Sequence, residues 1–234
     1  MKVGMIQSCY LPWRGFFDFI DDVDLFVIYD DVQYTRKDWR NRNKIKTSAG
    51  TRWITVPVCF SQNNAVRILD AKIDYSQAWQ RKHIGSITQA YRQAPYFNDY
   101  ADDLFTLLNL PFETISQLNV ALIRWCMQQL DICVPLRFSQ EFSGGGDRND
   151  RILGILRQLG CTDYLVGPAA SVYIDEEAYR REGIGLSYKS YSYQPYPQLH
   201  GAFDGAVSAI DLLFNCGPGA RSAFKSNEPN RQLS

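Results

Sequence analysis

Histidine is scarce in this 234-residue chain, which holds His83 and His200 and no other. The six cysteines are scattered and form no C-x-x-C pair. A structural zinc site needs four closely spaced ligands of these kinds, so the pattern argues against one. Free thiols in a reducing compartment fit it better than a disulfide framework. No apolar run approaches the roughly 20 residues that a membrane helix requires. Met1-Lys2-Val3-Gly4-Met5-Ile6 is too short and too soon polar for a signal peptide, so the expected location is the cytoplasm. Charge is in excess of neither sign, with 25 basic residues against 25 acidic. A nucleic-acid coat or a membrane-surface protein needs a basic surplus, so both are disfavoured.

Several catalytic motifs are missing too. Neither G-x-S-x-G nor H-E-x-x-H occurs, and no cysteine has a histidine near it in sequence. A covalent mechanism is therefore unsupported, although Cys9 merits a test. Gly144-Gly145-Gly146-Asp147 precedes a helical stretch but is not followed by Lys-Ser or Lys-Thr. It reads as a flexible loop with an Asp cap, not as a P-loop.

What is present reads as α/β. Lys2 to Ile6 is a strand, Gln7 to Arg14 a tight segment, Gly15 to Ile20 a short helix and Leu25 to Tyr29 a second strand. That order makes an N-terminal βαβ unit in a mostly parallel sheet. Arg52 to Val58 alternates and is rich in β-formers, with a hairpin turn at Ser48 to Thr51. A central helical subregion covers about 76–131. Its first helix runs from a Ser76 cap to Gln93, stops at Pro95, and carries Trp79, His83, Ile87 and Tyr91 on one face. A second covers Ser116 to Leu130, with Leu118, Leu122, Trp125 and Cys126 inward. Further αβ units follow: a helix from Asn149 to Leu159, a strand from Asp163 to Val166, a helix capped by Asp175, a strand from Gly185 to Lys189, and a helix from Ala209 to Asn215. The expected organisation is one domain over 1–225 and a disordered polar tail over 226–234.

Tyr29 to Lys44 is the candidate site. It follows an apolar strand and combines Asp30, Asp31, Lys37, Trp39, Arg40, Asn41, Arg42 and Asn43. From Asp30 to Lys46, six basic residues face three acidic ones, an imbalance suited to a small anionic ligand. Arg40, Arg42 and Lys37 are candidates to grip phosphate or carboxylate, and Asn41 and Asn43 to read sugar hydroxyls. Asp30 and Asp31 are candidate bases, but neighbours on a strand face opposite ways, so at most one enters the site. No metal ligand set is assigned. The competing reading is a solvated hairpin of weakly paired charges. Gln7, Tyr10 and Gly15 belong to a second candidate segment, a strand-to-helix turn that offers backbone N–H groups to an anion. His83 is a candidate general base, and a hydrogen-bonded core histidine is the equal alternative.

At these residues the chain resembles the WbqC-like family. Gln7, Tyr10, Pro12, Gly15 and Phe17 match its opening. Asp30-Asp31-Val32, Lys37, Trp39, Asn41, Arg42 and Asn43 match its Asp-Asp-Val and Trp-x-Asn-Arg-Asn segments. Later matches are Lys82-His83, Tyr91, Ile152-Leu153, Tyr164, Tyr173, Gly183-Ile184, Gln198 and Ile210 to Asn215. The resemblance implies a role in O-antigen, lipopolysaccharide or related surface-polysaccharide biosynthesis. The reaction it implies is transfer of an acyl or aminoacyl group to the amine of a nucleotide-linked amino sugar. No catalytic residues come with it. No cofactor is expected, and the donor is undetermined. The expected partner is a small anionic substrate such as a nucleotide sugar, with no nucleic acid unless an aminoacyl-tRNA is the donor. A non-catalytic nucleotide-sugar binding module and a nucleotidyltransferase-like enzyme are the alternatives.

Overall fold

The computed structural model describes residues 1–59, 65–172 and 174–232. Tyr173, one of the residues matched to the family above, lies outside them. Strand β1 (Lys2–Ile6) buries Val3 and Met5 on one side of the sheet and carries Gly4 and Ile6 on the other. Helix α1 (Arg14–Asp21) follows the first turn, and β2 (Leu25–Ile28) returns parallel to β1 with Ile6 opposite Ile28. Gly4 lets α1 lie close to the strand, since a Cβ there would fall 2.5 Å from the Phe19 ring. The expected βαβ unit is formed.

The chain then leaves the sheet for an antiparallel hairpin, β3 (Arg42–Thr47) and β4 (Gly50–Thr55). The helical subregion comprises α2 (Trp79–Tyr91), α3 (Phe97–Asn109) and α4 (Ile115–Gln129). Trp79, His83, Ile87 and Tyr91 are buried along one face of α2, as their four-residue recurrence requires. Helix α3 is absent from the sequence expectation because Pro95 reads as a stop. Phe97, Ala101, Leu104 and Leu108 nevertheless recur at helical spacing just beyond it and are buried. A capping box of Thr114 and Gln117 starts α4.

β5 (Leu136–Phe138) rejoins the sheet beside β2. Then come α5 (Arg148–Gln158), capped by Asp147, β6 (Asp163–Val166) beside β1, α6 (Glu176–Arg181) and β7 (Gly185–Tyr188) beside β6. Helices α7 (Ala209–Cys216) and α8 (Ala220–Ala223) precede β8 (Arg231–Gln232), which pairs antiparallel with β7. The order is β5-β2-β1-β6-β7-β8, all neighbours parallel except the last pair. Residues of α1, α2, α3, α4 and α7 form one core, and those of α5 and α6 form another with Val3, Met5, Val27 and Tyr29. The fold is mixed α/β.

Of the tail expected over 226–234, Leu233 and Ser234 lie outside the described residues, and the rest makes defined contacts. Ser226 donates its backbone N–H to Asp18 at 3.1 Å, Asn230 donates to Asp22 at 2.9 Å, and Arg231 pairs with Tyr188. Residues 226–232 are therefore docked, because their polar groups meet the carboxylates of α1 and the free edge of β7. Among the described residues no helix is long and apolar enough to cross a membrane.

The placement of a site follows from the sheet order. β1 connects to β2 on one side, while the chain later crosses to β6 on the other. Ligands of open α/β sheets bind beyond the carboxyl ends of the strands where the order reverses, which here is the end of β1 and β6.

Candidate ligand-binding site

Beyond β1 the two candidate segments of the sequence interlock. Tyr10 donates its backbone N–H to Trp39 O at 2.9 Å. Asn43 Nδ2 donates to Leu11 O at 2.7 Å and Tyr10 O at 3.3 Å, holding Leu11 at a left-handed φ of 43°. Asn41 Nδ2 donates to Val56 O at 2.8 Å. From the α4 side, Asn119 Nδ2 donates to Ser8 Oγ at 3.1 Å and Arg40 O at 2.8 Å. The amides expected to read sugar hydroxyls are thus engaged with backbone. Buried carbonyls require such partners, and Asn41 and Asn43 supply them.

The interlock leaves a cleft of about 490 Å³ at the end of β1. Trp13, Phe16, Trp39 and Tyr191 wall it, with Cys9 and Arg40 on its lining. Arg40 is 9% exposed. Its Nη1 donates to Ser8 O at 3.3 Å and its Nε stands 3.7 Å from Asp38 Oδ2, with no hydrogen bond to any described residue. A guanidinium carries five donors, and among the described residues this one makes a single hydrogen bond. Burial pushes the Cys9 thiol above its ordinary range, with Arg40 opposing, so Cys9 is a poor thiolate. Gly15 offers no room to an anion, because the Trp13 indole already lies 2.4 Å from where its Cβ would be. Gln7, half-buried, follows the last residue of β1 and is not among the residues that line the cleft.

The two aspartates, just past the end of β2, diverge. Asp30 is 1% exposed and accepts from Ser8 N at 2.8 Å and from Ser116 Oγ. Burial raises its pKa against these hydrogen bonds and Arg40. Asp31 faces a different cleft, of about 400 Å³, formed with the Gly144–Gly146 loop and the start of α5. It accepts from Arg151 Nη2 at 2.8 Å and from Ser139 Oγ.

His83 lies apart from both clefts. Its Nδ1 meets Tyr10 Oη at 2.8 Å and its Nε2 meets Thr55 O at 3.1 Å. A carbonyl only accepts, so Nε2 bears the hydrogen and Nδ1 accepts from Tyr10. Burial lowers its pKa to about 4. With both nitrogens engaged, His83 has the core role weighed above and not the geometry of a base. His200 is similarly tied, its Nε2 2.7 Å from Ala90 O.

The basic run disperses. Arg42 stacks over Trp53 at 4.1 Å, and Lys46 is buried against Gln198 and Ala202. Lys37 is exposed at a left-handed φ of 53°. Trp39 leans on Trp53 at 5.1 Å while lining the cleft. Of the predicted binding residues, the structure brings Trp39, Arg40 and Asn43 together at the cleft, with Tyr10 behind them. Ser8, Ser116, Asn119, Arg151 and Tyr191 are absent from the sequence expectation. Asn119 was legible as a polar residue between Leu118 and Val120. Tyr191 lies too far along the chain for any spacing argument.

The sequence pattern of a known family matches residues 7–223, which include both interlocked turns. The chain belongs to the WbqC-like protein family. An uncharacterized protein of Mycobacterium tuberculosis (strain ATCC 25618 / H37Rv), Rv1507c, is 39% identical over 218 residues, covering 92% of this chain and 94% of its own. No solved structure matches. Both motif segments, Arg40 and Tyr191 lie within the matched region of this WbqC-like protein, whereas the docked tail lies beyond it. Among the described residues no group of three His, Cys, Asp or Glu side chains is placed to hold a metal ion.

Proposed function

We propose that this WbqC-like protein acts on a nucleotide-linked amino sugar in surface-polysaccharide biosynthesis, transferring an acyl or aminoacyl group to the sugar amine. The observation that carries the reading is Arg40, a buried guanidinium with unused donors on the wall of an aromatic-lined cleft. A diphosphate or carboxylate satisfies such a group through charge-assisted hydrogen bonds, and flat rings suit Trp13, Trp39 and Tyr191. In the transfer, the amine nitrogen attacks the acyl carbon, the donor's leaving group departs with its bonding pair, and the amine proton passes to a base. The test combines binding and turnover. Calorimetry with nucleoside diphosphates and their amino-sugar conjugates should give saturable binding that Arg40→Met weakens at least tenfold. Mass spectrometry with acyl donors should then find the acylated sugar. Binding unaffected by Arg40→Met sinks the site.

A second reading is a binding module without chemistry. It is favoured by one observation: His83, Asp30 and Asp31 are each engaged by protein groups. Saturable binding without turnover across a panel of donors decides for it.

A further inference from the structure

Beyond β6 and β7 lies another cleft, of about 520 Å³, which shares Tyr191 with the Arg40 cleft. Its chemistry differs. The Arg40 cleft is walled by rings, whereas this one presents the hydroxyl-bearing side chains of Ser171, Ser190 and Tyr188 and the carboxylates of Glu176 and Glu228. Lys189 lines it too, but its ammonium is held by Asp18 at 2.7 Å and Asp22 at 2.6 Å and is not free for a ligand. Arg231, on the docked tail, stands at its rim.

We infer that a nucleotide sugar spans the two clefts, its base and diphosphate beside Arg40 and its amino sugar past Tyr191 among Glu176 and Glu228. This inference rests on the proposed function and adds the sugar subsite to it. Three observations converge. The clefts adjoin through one tyrosine, and both open at the carboxyl ends of strands flanking the reversal of strand order. The unused donors of Arg40 suit the anionic part of such a ligand. The second cleft holds what an amino sugar requires: hydroxyl oxygens that accept, the Ser171 and Tyr188 hydrogens being given to Pro168 O and Glu176, and carboxylates for an ammonium. Tyr191 and Pro168 in its lining are surfaces for the C–H face of the ring. Glu176 accepts from Tyr188 Oη at 3.1 Å, which orients one carboxylate in this cleft.

The test uses the full chain with UDP, dTDP and GDP, the 2-amino-2-deoxyglucose conjugate of each, and the N-acetylated conjugates. The wild type should bind an amino conjugate more tightly than its N-acetylated counterpart, which lacks the cation. Combining Glu176→Gln with Glu228→Gln should raise the Kd of the amino conjugate about tenfold and leave that of the parent diphosphate within about twofold. The amide oxygen that Glu176→Gln introduces can still accept from Tyr188, so the local hydrogen bond survives the loss of charge. Glu228→Gln alone, at an exposed position, should show a smaller loss of the same kind with the melting temperature unchanged. A preference for the amine that survives both substitutions, or that the wild type lacks, overturns the sugar subsite while the Arg40 site stands. Failure of every diphosphate to bind overturns the subsite and the proposed function together.

Discussion

Tyr10 donates its hydroxyl hydrogen to Nδ1 of His83 across 2.8 Å of buried space, joining the first turn to α2. The partner nitrogen of the same ring donates to Thr55 O on β4. One neutral imidazole therefore ties three segments: the turn, the hairpin and the helical subregion.

That bond has a pH signature. Burial lowers the His83 pKa from 6.5 to about 4, so the unfolded chain binds more protons between these values. Stability from the neutral ring is complete above about pH 6.5 and is lost as pH falls toward about 4, to a total of about 3 kcal/mol. Urea unfolding at pH 7 and pH 4.5 should show this loss in the wild type. The difference between the two pH values should shrink in His83→Gln. An unchanged difference would contradict the buried neutral histidine.

Asn43→Ala removes the amide that holds Tyr10 O and Leu11 O. Two buried carbonyls lose a partner at a residue already held in the left-handed region. The expected cost is about 2 kcal/mol, read from the urea midpoint with the slope unchanged. Because the amide positions the turn beside Arg40, nucleotide binding should weaken as well.

Asp31→Asn separates two roles. The residue pairs with Arg151 in a different cleft, both side chains being about 15% exposed (15% and 14%). Loss of the charge should cost about 1–2 kcal/mol of stability. The Kd for a nucleotide sugar should stay as in the wild type. A weakened Kd at unchanged stability would place Asp31 in the binding site after all.

Lys189→Met leaves Asp18 at 0% side-chain exposure with Lys225 as its remaining cation, at 3.3 Å. Removing one partner of a buried ion pair should cost about 3 kcal/mol, measured by denaturant unfolding. Asp22 reports on the same cluster. Burial pushes its carboxyl up, but hydrogen bonds from Lys189, Lys225 and Asn230 bring it down to about 2. Its contribution is present above pH 3.8 and is lost as pH falls toward about 2, a loss that Lys189→Met should reduce.

Much of the fold was legible because periodicity and caps are local. The strand from Lys2 to Ile6, the inward stripe of α2 and the Asp147 cap follow from residues within one turn or one strand of each other. Helix α3 was missed at Pro95, where a local stop signal also preceded a new start. The contacts of Ser226 and Asn230 were not legible, because polarity reads as solvation until the carboxylates of Asp18 and Asp22 are beside it.

The site divides in the same way. By itself the sequence determined that a WbqC-like chain concentrates aromatic, amide and basic groups at the ends of its first two strands. It also set Asp30 and Asp31 side by side at a strand end, where at most one was expected to enter the site; in the structure both lie past β2 and bond to different elements. Tertiary structure alone decided which polar groups are spent. Asn41, Asn43 and His83 meet carbonyls and a hydroxyl from distant segments, while Arg40, which lines the cleft, finds one long hydrogen bond and has an Nε without one among the described residues. Tyr191 joins the site from the far end of the chain, well beyond the reach of any local pattern. Hydrogen-bond satisfaction is a property of the folded surroundings, so no spacing in the sequence could assign it.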